Sequence, residues 1–228
     1  MTARLSSCAL ALLLLLVPSA RLGAQSDEAD RVKEAVTVLG EIMKASDSAI
    51  PTSVLSKAEG IAIFPGTVRG GFIVGGERGR GILSVRDEKT RMWSNPAFLT
   101  ITGGSVGLQI GVRATDLVLV IQNRRGLENL VRNEWKVGAG AAATAGPVGR
   151  DAQAATDIQL RAEILSYSRS RGLFAGATLD GSTIRQDEDA NRRFYGERFS
   201  TRQIVFDNKA KAPEATAQWF QALMKYVP

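Results

Sequence analysis

GIAIFPGTVRGGFIVGGERGRGILSVR, residues 60–86, decides the fold. Short apolar runs at 61–64, 71–75 and 81–86 are separated by Pro65-Gly66, Gly75-Gly76 and Glu77-Arg78-Gly79, a pattern that predicts a meander of β-hairpins. Further strands are predicted downstream at 98–102, 105–112, 117–122, 158–168 and 173–179, with extended, small-residue sequence over 135–145 and a helical turn or two over 126–133. Upstream, Val32, Ala35, Val36, Leu39, Ile42 and Met43 recur at helical spacing and fall within an arc of about 120° at 100° per residue, so 27–47 reads as an amphipathic helix. Pro51 then opens a short helix over 52–59, which Gly60 stops. Residues 187–195 are helical in pattern, and Pro213 starts a last helix, about 213–227, carrying Trp219, Phe220, Leu223, Met224 and Val227. No Pro- or Ser-rich linker divides the chain. The expectation is one α+β domain with a core over about 30–205: a mostly antiparallel, curved, glycine-rich sheet or small barrel with helices at the N- and C-terminal ends.

Composition removes most enzyme classes. At 228 residues, 44% hydrophobic and 23% charged, the chain can bury one sizeable core. It has no histidine, so Ser-His-Asp and Cys-His mechanisms, His-ligated metals and imidazole switches are all excluded. Its one cysteine, Cys8, lies in a segment with the three parts of a secretory signal: Arg4 in a short basic start, an apolar run over 9–17, then Pro18 and Leu22-Gly23-Ala24. Cleavage is expected after Ala24, giving a mature chain 25–228 that is exported to the periplasm or medium. The apolar run is about half the ~20 residues a membrane-spanning helix needs. Loss of Arg4 and Arg21 lowers the net charge from +6 to +4, with basic residues interspersed rather than in runs, so no nucleic-acid arm is present. An anionic lipid surface or an acidic partner fits that charge better.

Three motifs invite a catalytic reading and fail on their chemistry. Gly103-Gly104-Ser105-Val106-Gly107 has the spacing of a nucleophile elbow, but no histidine exists to activate Ser105 and the following residues continue as a strand. The glycines of 75–81 lack the Gly-Lys-Ser/Thr end of a phosphate loop, so a hairpin turn is expected, with Arg78 and Arg80 free to offer guanidinium forks to a phosphate. Asp187-Glu188-Asp189 reads as charge at a helix start, which opposes the helix dipole favourably. No cofactor or metal is predicted.

Six segments in order carry a resemblance. They are Lys57-Ala58-Glu59-Gly60-Ile61-Ala62-Ile63-Phe64-Pro65, Trp93-Ser94-Asn95-Pro96-Ala97-Phe98, Gly104-Ser105-Val106-Gly107-Leu108-Gln109-Ile110-Gly111, Ala145-Gly146-Pro147-Val148-Gly149-Arg150, Ser168-Arg169-Ser170-Arg171-Gly172-Leu173-Phe174-Ala175-Gly176 and Asn191-Arg192-Arg193-Phe194-Tyr195-Gly196. Together they resemble the SYLF domain family, also called the Ysc84 actin-binding family. The resemblance implies membrane binding: eukaryotic members attach to phosphoinositide-bearing membranes, some bind and bundle actin, and bacterial members are exported lipid-binding proteins. It supplies no catalytic residues, and the export signal argues against actin as a partner here. The lipid-binding candidates are Lys33, Leu39, Met43 and Lys44 on the first helix, with Arg78 and Arg80 on the sheet. The apolar face of that helix has two destinations, a lipid interface or the sheet, and burial is worth roughly 1.5 to 3 kcal/mol per large side chain in either. The alternative function is a protein-interaction or structural module of the cell envelope, with the final helix in a partner's groove.

Overall fold

A computed structural model describes residues 20–45, 49–71, 74–106, 111–137, 143–148, 162–170, 173–176, 179 and 181–227. Helix α1 (Ala20–Lys44) and the short α2 (Thr52–Leu55) lead into four long antiparallel strands, β1 (Gly60–Gly71), β2 (Val74–Val85), β3 (Ala97–Val106) and β4 (Gly111–Ile121). There follow α3 (Arg124–Leu130), β5 (Glu134–Lys136), β6 (Ala143–Ala145), β7 (Ile164–Ser170), β8 (Leu173–Gly176), β9 (Ser182–Gln186), α4 (Glu188–Tyr195), α5 (Thr201–Val205), a 3-10 turn (Glu214–Thr216) and α6 (Ala217–Tyr226). The nine strands form one sheet in the order β5-β9-β3-β2-β1-β4-β7-β6, with β8 paired to β7. All pairs are antiparallel except β6 with β7. The expected α+β domain with a curved, mostly antiparallel sheet is what forms.

Alternation along each strand sends successive side chains to two separate cores. Ile61, Ile63, Ile82, Phe98, Val118 and Val120 face one side, where α1, α4 and α6 cover them. Ala62, Phe64, Leu83, Leu99, Leu117 and Leu119 face the other, with α3 and α5 residues and the sheet's own curl. The curl needs missing side chains at close approaches. A Cβ at Gly81 would stand 2.4 Å from the Ile63 carbonyl oxygen and 2.5 Å from the Phe64 ring, so glycine lets β1 and β2 bend over that ring.

The strands are longer than the sequence predicts. Pro65-Gly66 is a bulge inside β1, where the register against β2 and β4 shifts, and not a hairpin turn. Gly66 takes φ +55°, and its N–H donates to Asp116 Oδ1 at 2.9 Å, so a partner fifty residues away holds the irregularity. Gly75-Gly76 and Glu77-Arg78-Gly79 are likewise within β2 rather than between strands. Strand β9 and helix α5 are additional to the predicted elements, and the predicted strand residues 158–161 lie outside the described residues.

Candidate functional site

Among the described residues β1, β2, β3 and β4 reach Gly71, Val74, Val106 and Gly111 at one end of the sheet. Along one rung Thr102, Arg78, Val68 and Ala114 are neighbours across β3, β2, β1 and β4. Strand parity puts them on the face that α1 covers further down. Arg80 and its partner Thr100 sit on that same face. Arg78 and Arg80 are exposed and have no acidic partner among the described residues, and Val68 is 46% exposed beside them. On the opposite, concave face the next rung carries Arg69, Glu77 and Arg113. Arg69 pairs with Glu77 at 3.0 Å, and the Ser182 hydroxyl donates to the other Glu77 oxygen at 3.1 Å, so this carboxylate is neutralised in place. Arg113 is exposed.

The helix candidates lie elsewhere. Leu39 is wholly buried with Val32, Ala35 and Ile42 in the core, and Met43 packs against the same cluster. Of the two destinations open to the apolar stripe of α1, the structure shows the sheet: Leu39, one of the lipid-binding candidates, is buried in the cluster that includes Ile61 and Phe98. Lys33 and Lys44 are exposed. At about 100° per residue they stand on the shoulder of Gly40, the position that approaches the Tyr226 hydroxyl of α6. Glu41, on the other shoulder, pairs with Arg169, which also holds Asp116 through its Nε at 2.7 Å.

Between the two regions lies a buried ion network. Glu28 and Arg31, 1% and 5% exposed, sit on α1; Arg31 donates to Asp187 at 3.3 Å and stacks on Phe98, while Arg193 donates to Glu28 at 2.8 Å. Burial pulls the Arg31 guanidinium below its usual range; Asp187 opposes this, and Arg80 adds to the depression. The Glu28 hydrogen bond leads the causes that raise Arg193. Asp187 also caps α4 by accepting from Ala190 N–H at 3.0 Å, so the acidic cluster is a helix start tied to α1. A shallow cleft of about 430 Å³ runs past Thr100, Gln186, Asp187, Glu188 and Arg198. Among the described residues no group of three potential ligands is placed to hold a metal ion.

Ser105 stands within β3, its backbone in register with Gly75, in strand geometry rather than on a strand-to-helix elbow. The signature residues around 93–98 and 191–196 are structural: Asn95 donates to the Ala210 carbonyl at 2.8 Å, Asn191 accepts from Phe98 N–H at 2.9 Å, and Tyr195 donates to the Pro96 carbonyl at 2.6 Å. Among the described residues no helix is long and apolar enough to cross a membrane. Sequence reasoning missed Val68, Arg69 and Arg113. Taking Pro65-Gly66 as a turn broke the alternation that puts Val68 beside Arg78.

The family described as "Ysc84: Las17-binding protein actin regulator" matches residues 102–226. The chain is 31% identical over 199 residues to LAS seventeen-binding protein 3 of Saccharomyces cerevisiae, covering 84% of this chain and 43% of that protein. It is 32% identical over 191 residues to Protein YSC84 of the same yeast, covering 80% and 40%. With SH3 domain-containing YSC84-like protein 1 of Homo sapiens the identity is 30% over 189 residues, covering 80% and 55%. The chain belongs to the Ysc84 (SYLF) family, and it spans about half the length of these relatives or somewhat less.

Proposed function

We propose that this protein is a non-enzymatic, exported Ysc84-family domain that binds anionic phospholipid surfaces through the basic end of its sheet. The observation that carries this reading is the pair Arg78 and Arg80, exposed and without an acidic partner among the described residues, beside the exposed Val68. A basic group near an anionic surface contributes about 1 kcal/mol, so two or three arginines give weak attachment that salt screens over about 8 Å at physiological ionic strength. The relatives are named as binding and regulatory proteins rather than enzymes, which agrees with a binding role. Co-sedimentation of the purified protein with anionic and neutral vesicles at two salt concentrations tests it. Binding to the anionic vesicles alone, weakened by salt and by Arg78→Glu with Arg80→Glu, is expected, and salt-independent or absent binding refutes the reading. Export is tested by mass spectrometry of the protein recovered from its source, with Gln25 expected at the amino terminus.

A second reading is a protein-interaction module; the family description, which names an actin regulator, favours actin as its partner. Pelleting with actin filaments in the absence of lipid would support it over the first.

A further inference from the structure

We propose that the membrane site selects its lipid by headgroup, taking hydroxylated phosphodiester headgroups such as phosphatidylglycerol through Thr102 and Thr183 beside Arg78. This rests on the membrane reading above and adds the lipid it prefers. In register across β5, β9, β3, β2, β1 and β4, one rung of the sheet reads Lys136, Thr183, Thr102, Arg78, Val68 and Ala114. Directly opposed residues of antiparallel strands project to the same face, so these side chains stand side by side at about 4.8 Å per strand. Thr102 and Thr183 are half-buried, and neither hydroxyl has a hydrogen-bond partner among the described residues. Other threonine hydroxyls are used internally: Thr67 donates to the Phe64 carbonyl at 3.2 Å and Thr216 to the Pro213 carbonyl at 2.7 Å. Arg78 is exposed without an acidic partner among the described residues, as is Arg80 two residues along the strand, about 7 Å away. Two guanidinium forks at that spacing suit the oxygens of one phosphate. Val68 and Ala114 continue the rung as exposed apolar side chains. Hydroxyl, cation and apolar surface therefore follow one another within about 20 Å, the order of a hydroxylated headgroup, its phosphate and its acyl esters. A free phosphate makes no use of the apolar end.

Selection follows from the charges around the threonines. The acid nearest this rung along β5, Glu134, is held by Arg185 at 2.9 Å and by Lys136 at 3.9 Å. The acidic cleft beside α4 is lined by Thr100, and by neither Thr102 nor Thr183. The ammonium group of phosphatidylserine would thus stand beside Arg78 with no free carboxylate in the rung to receive it. The hydroxyls of phosphatidylglycerol can both donate to and accept from the threonine hydroxyls. The two lipids carry the same net charge, so attraction to the arginines alone does not distinguish them.

The test is co-sedimentation of the full chain with vesicles holding equal fractions of phosphatidylglycerol or phosphatidylserine in phosphatidylcholine, at one salt concentration. Phosphatidylglycerol vesicles should bind about tenfold more tightly, the equivalent of about 1.4 kcal/mol. Thr102→Val with Thr183→Val should lower that affinity to the phosphatidylserine level and leave phosphatidylserine binding unchanged. Thr102→Ser with Thr183→Ser, which keeps the hydroxyls, should retain the preference, and the melting temperatures should stay in place. Arg78→Gln should weaken binding to both lipids about fivefold, the equivalent of about 1 kcal/mol per basic residue. Equal binding of the parent chain to the two lipids, or tighter binding to phosphatidylserine, overturns headgroup selection and leaves the membrane reading standing. A preference that survives the two valine substitutions assigns it to other residues and also overturns the proposal. Displacement from the vesicles by micromolar glycerol 1-phosphate would give the rung to a soluble phosphoester, with the same consequence. Absence of any vesicle binding overturns both readings.

Discussion

Replacing Leu39 by alanine separates the two destinations of the amphipathic helix, because the structure assigns it wholly to one. The side chain is 0% exposed between Val32, Ala35 and Ile42 on its own helix and the sheet residues beneath. Truncating a buried leucine removes its transfer energy and leaves a cavity, at a cost of about 2 to 5 kcal/mol. The gain in helix propensity on going to alanine is a few tenths of a kcal/mol at most and does not alter the sign. For a domain of this size each kcal/mol moves the melting temperature by about 2 to 4 °C, so a loss of about 3 kcal/mol lowers it by about 6 to 12 °C. Below that temperature the surface is unchanged, and affinity for anionic vesicles should match the parent protein. Lys33→Gln and Lys44→Gln, on exposed residues of α1, should leave the melting temperature unchanged. Thermal melts followed by circular dichroism, run beside vesicle co-sedimentation at one salt concentration, read both. A tenfold loss of vesicle affinity with a melting temperature shifted by less than about 2 °C would show that α1 leaves the sheet to meet lipid, and the packing argument would fail.

Gly81→Ala should destabilise by about 1 to 3 kcal/mol in urea titrations, because the added carbon meets the Ile63 carbonyl and the Phe64 ring; a change under about 0.5 kcal/mol would mean β1 and β2 do not bend as described. Arg31→Ala removes the cation that Glu28 and Asp187 share, leaving Glu28 to Arg193 and Asp187 to the Ala190 N–H, and should cost about 3 kcal/mol, with Glu28→Gln coupled to it in a double-mutant cycle. The Glu59 carboxyl is raised by burial first and by Glu88 second, against Arg124 and Arg91. The fold therefore disfavours its carboxylate at neutral pH and is relieved of that cost as pH falls through the raised folded value. Glu59→Gln should melt higher than the parent at pH 7, with the gap closing on acidification; a gap that widens toward acid would reverse the assignment.

Much of this fold is written in local pattern, and what is not depends on distant partners. The alternation of Ile61, Ile63 and Ile82 against Ala62, Phe64 and Leu83 announces a sheet buried on both sides, and the spacing in α1 announces the stripe that covers one of them. Pro65-Gly66 has the residues of a turn, and only Asp116, fifty positions away, makes it a bulge. β9 has a single apolar residue, Ile184, in its five, and is a strand because β3 and β5 pair with its two edges. Helix α5 was readable, since Ser200 and Gln203 form a capping box at the spacing that motif requires. At the site, the exposure of Arg78 and Arg80 follows from their being charged on a strand among glycines. The placement of α1 on the sheet is fixed by contacts of Glu41, Arg31 and Gly40 that no local pattern contains.

The difference between the packed half of the sheet and its glycine-rich half has a single physical origin. Where β1 to β4 carry large apolar residues on alternate positions, both faces must be covered, and α1, α4 and α6 are held there by Phe98, Phe194 and Trp219, the last donating its indole N–H to Ser84 at 2.8 Å. Past Gly81 and Thr100 the strands change composition: glycines replace the alternating apolar residues and offer no side chain for a helix to cover. The backbone ladder continues across all four strands, so this end stays ordered by hydrogen bonding while lacking a core of its own. A β-surface built this way gains little stability from side-chain burial, and its unpaired arginines repel one another with no compensating acid among the described residues. Those features weaken the isolated fold, and the anionic surface proposed above would offset them by supplying counter-charge to Arg78, Arg80 and Arg113.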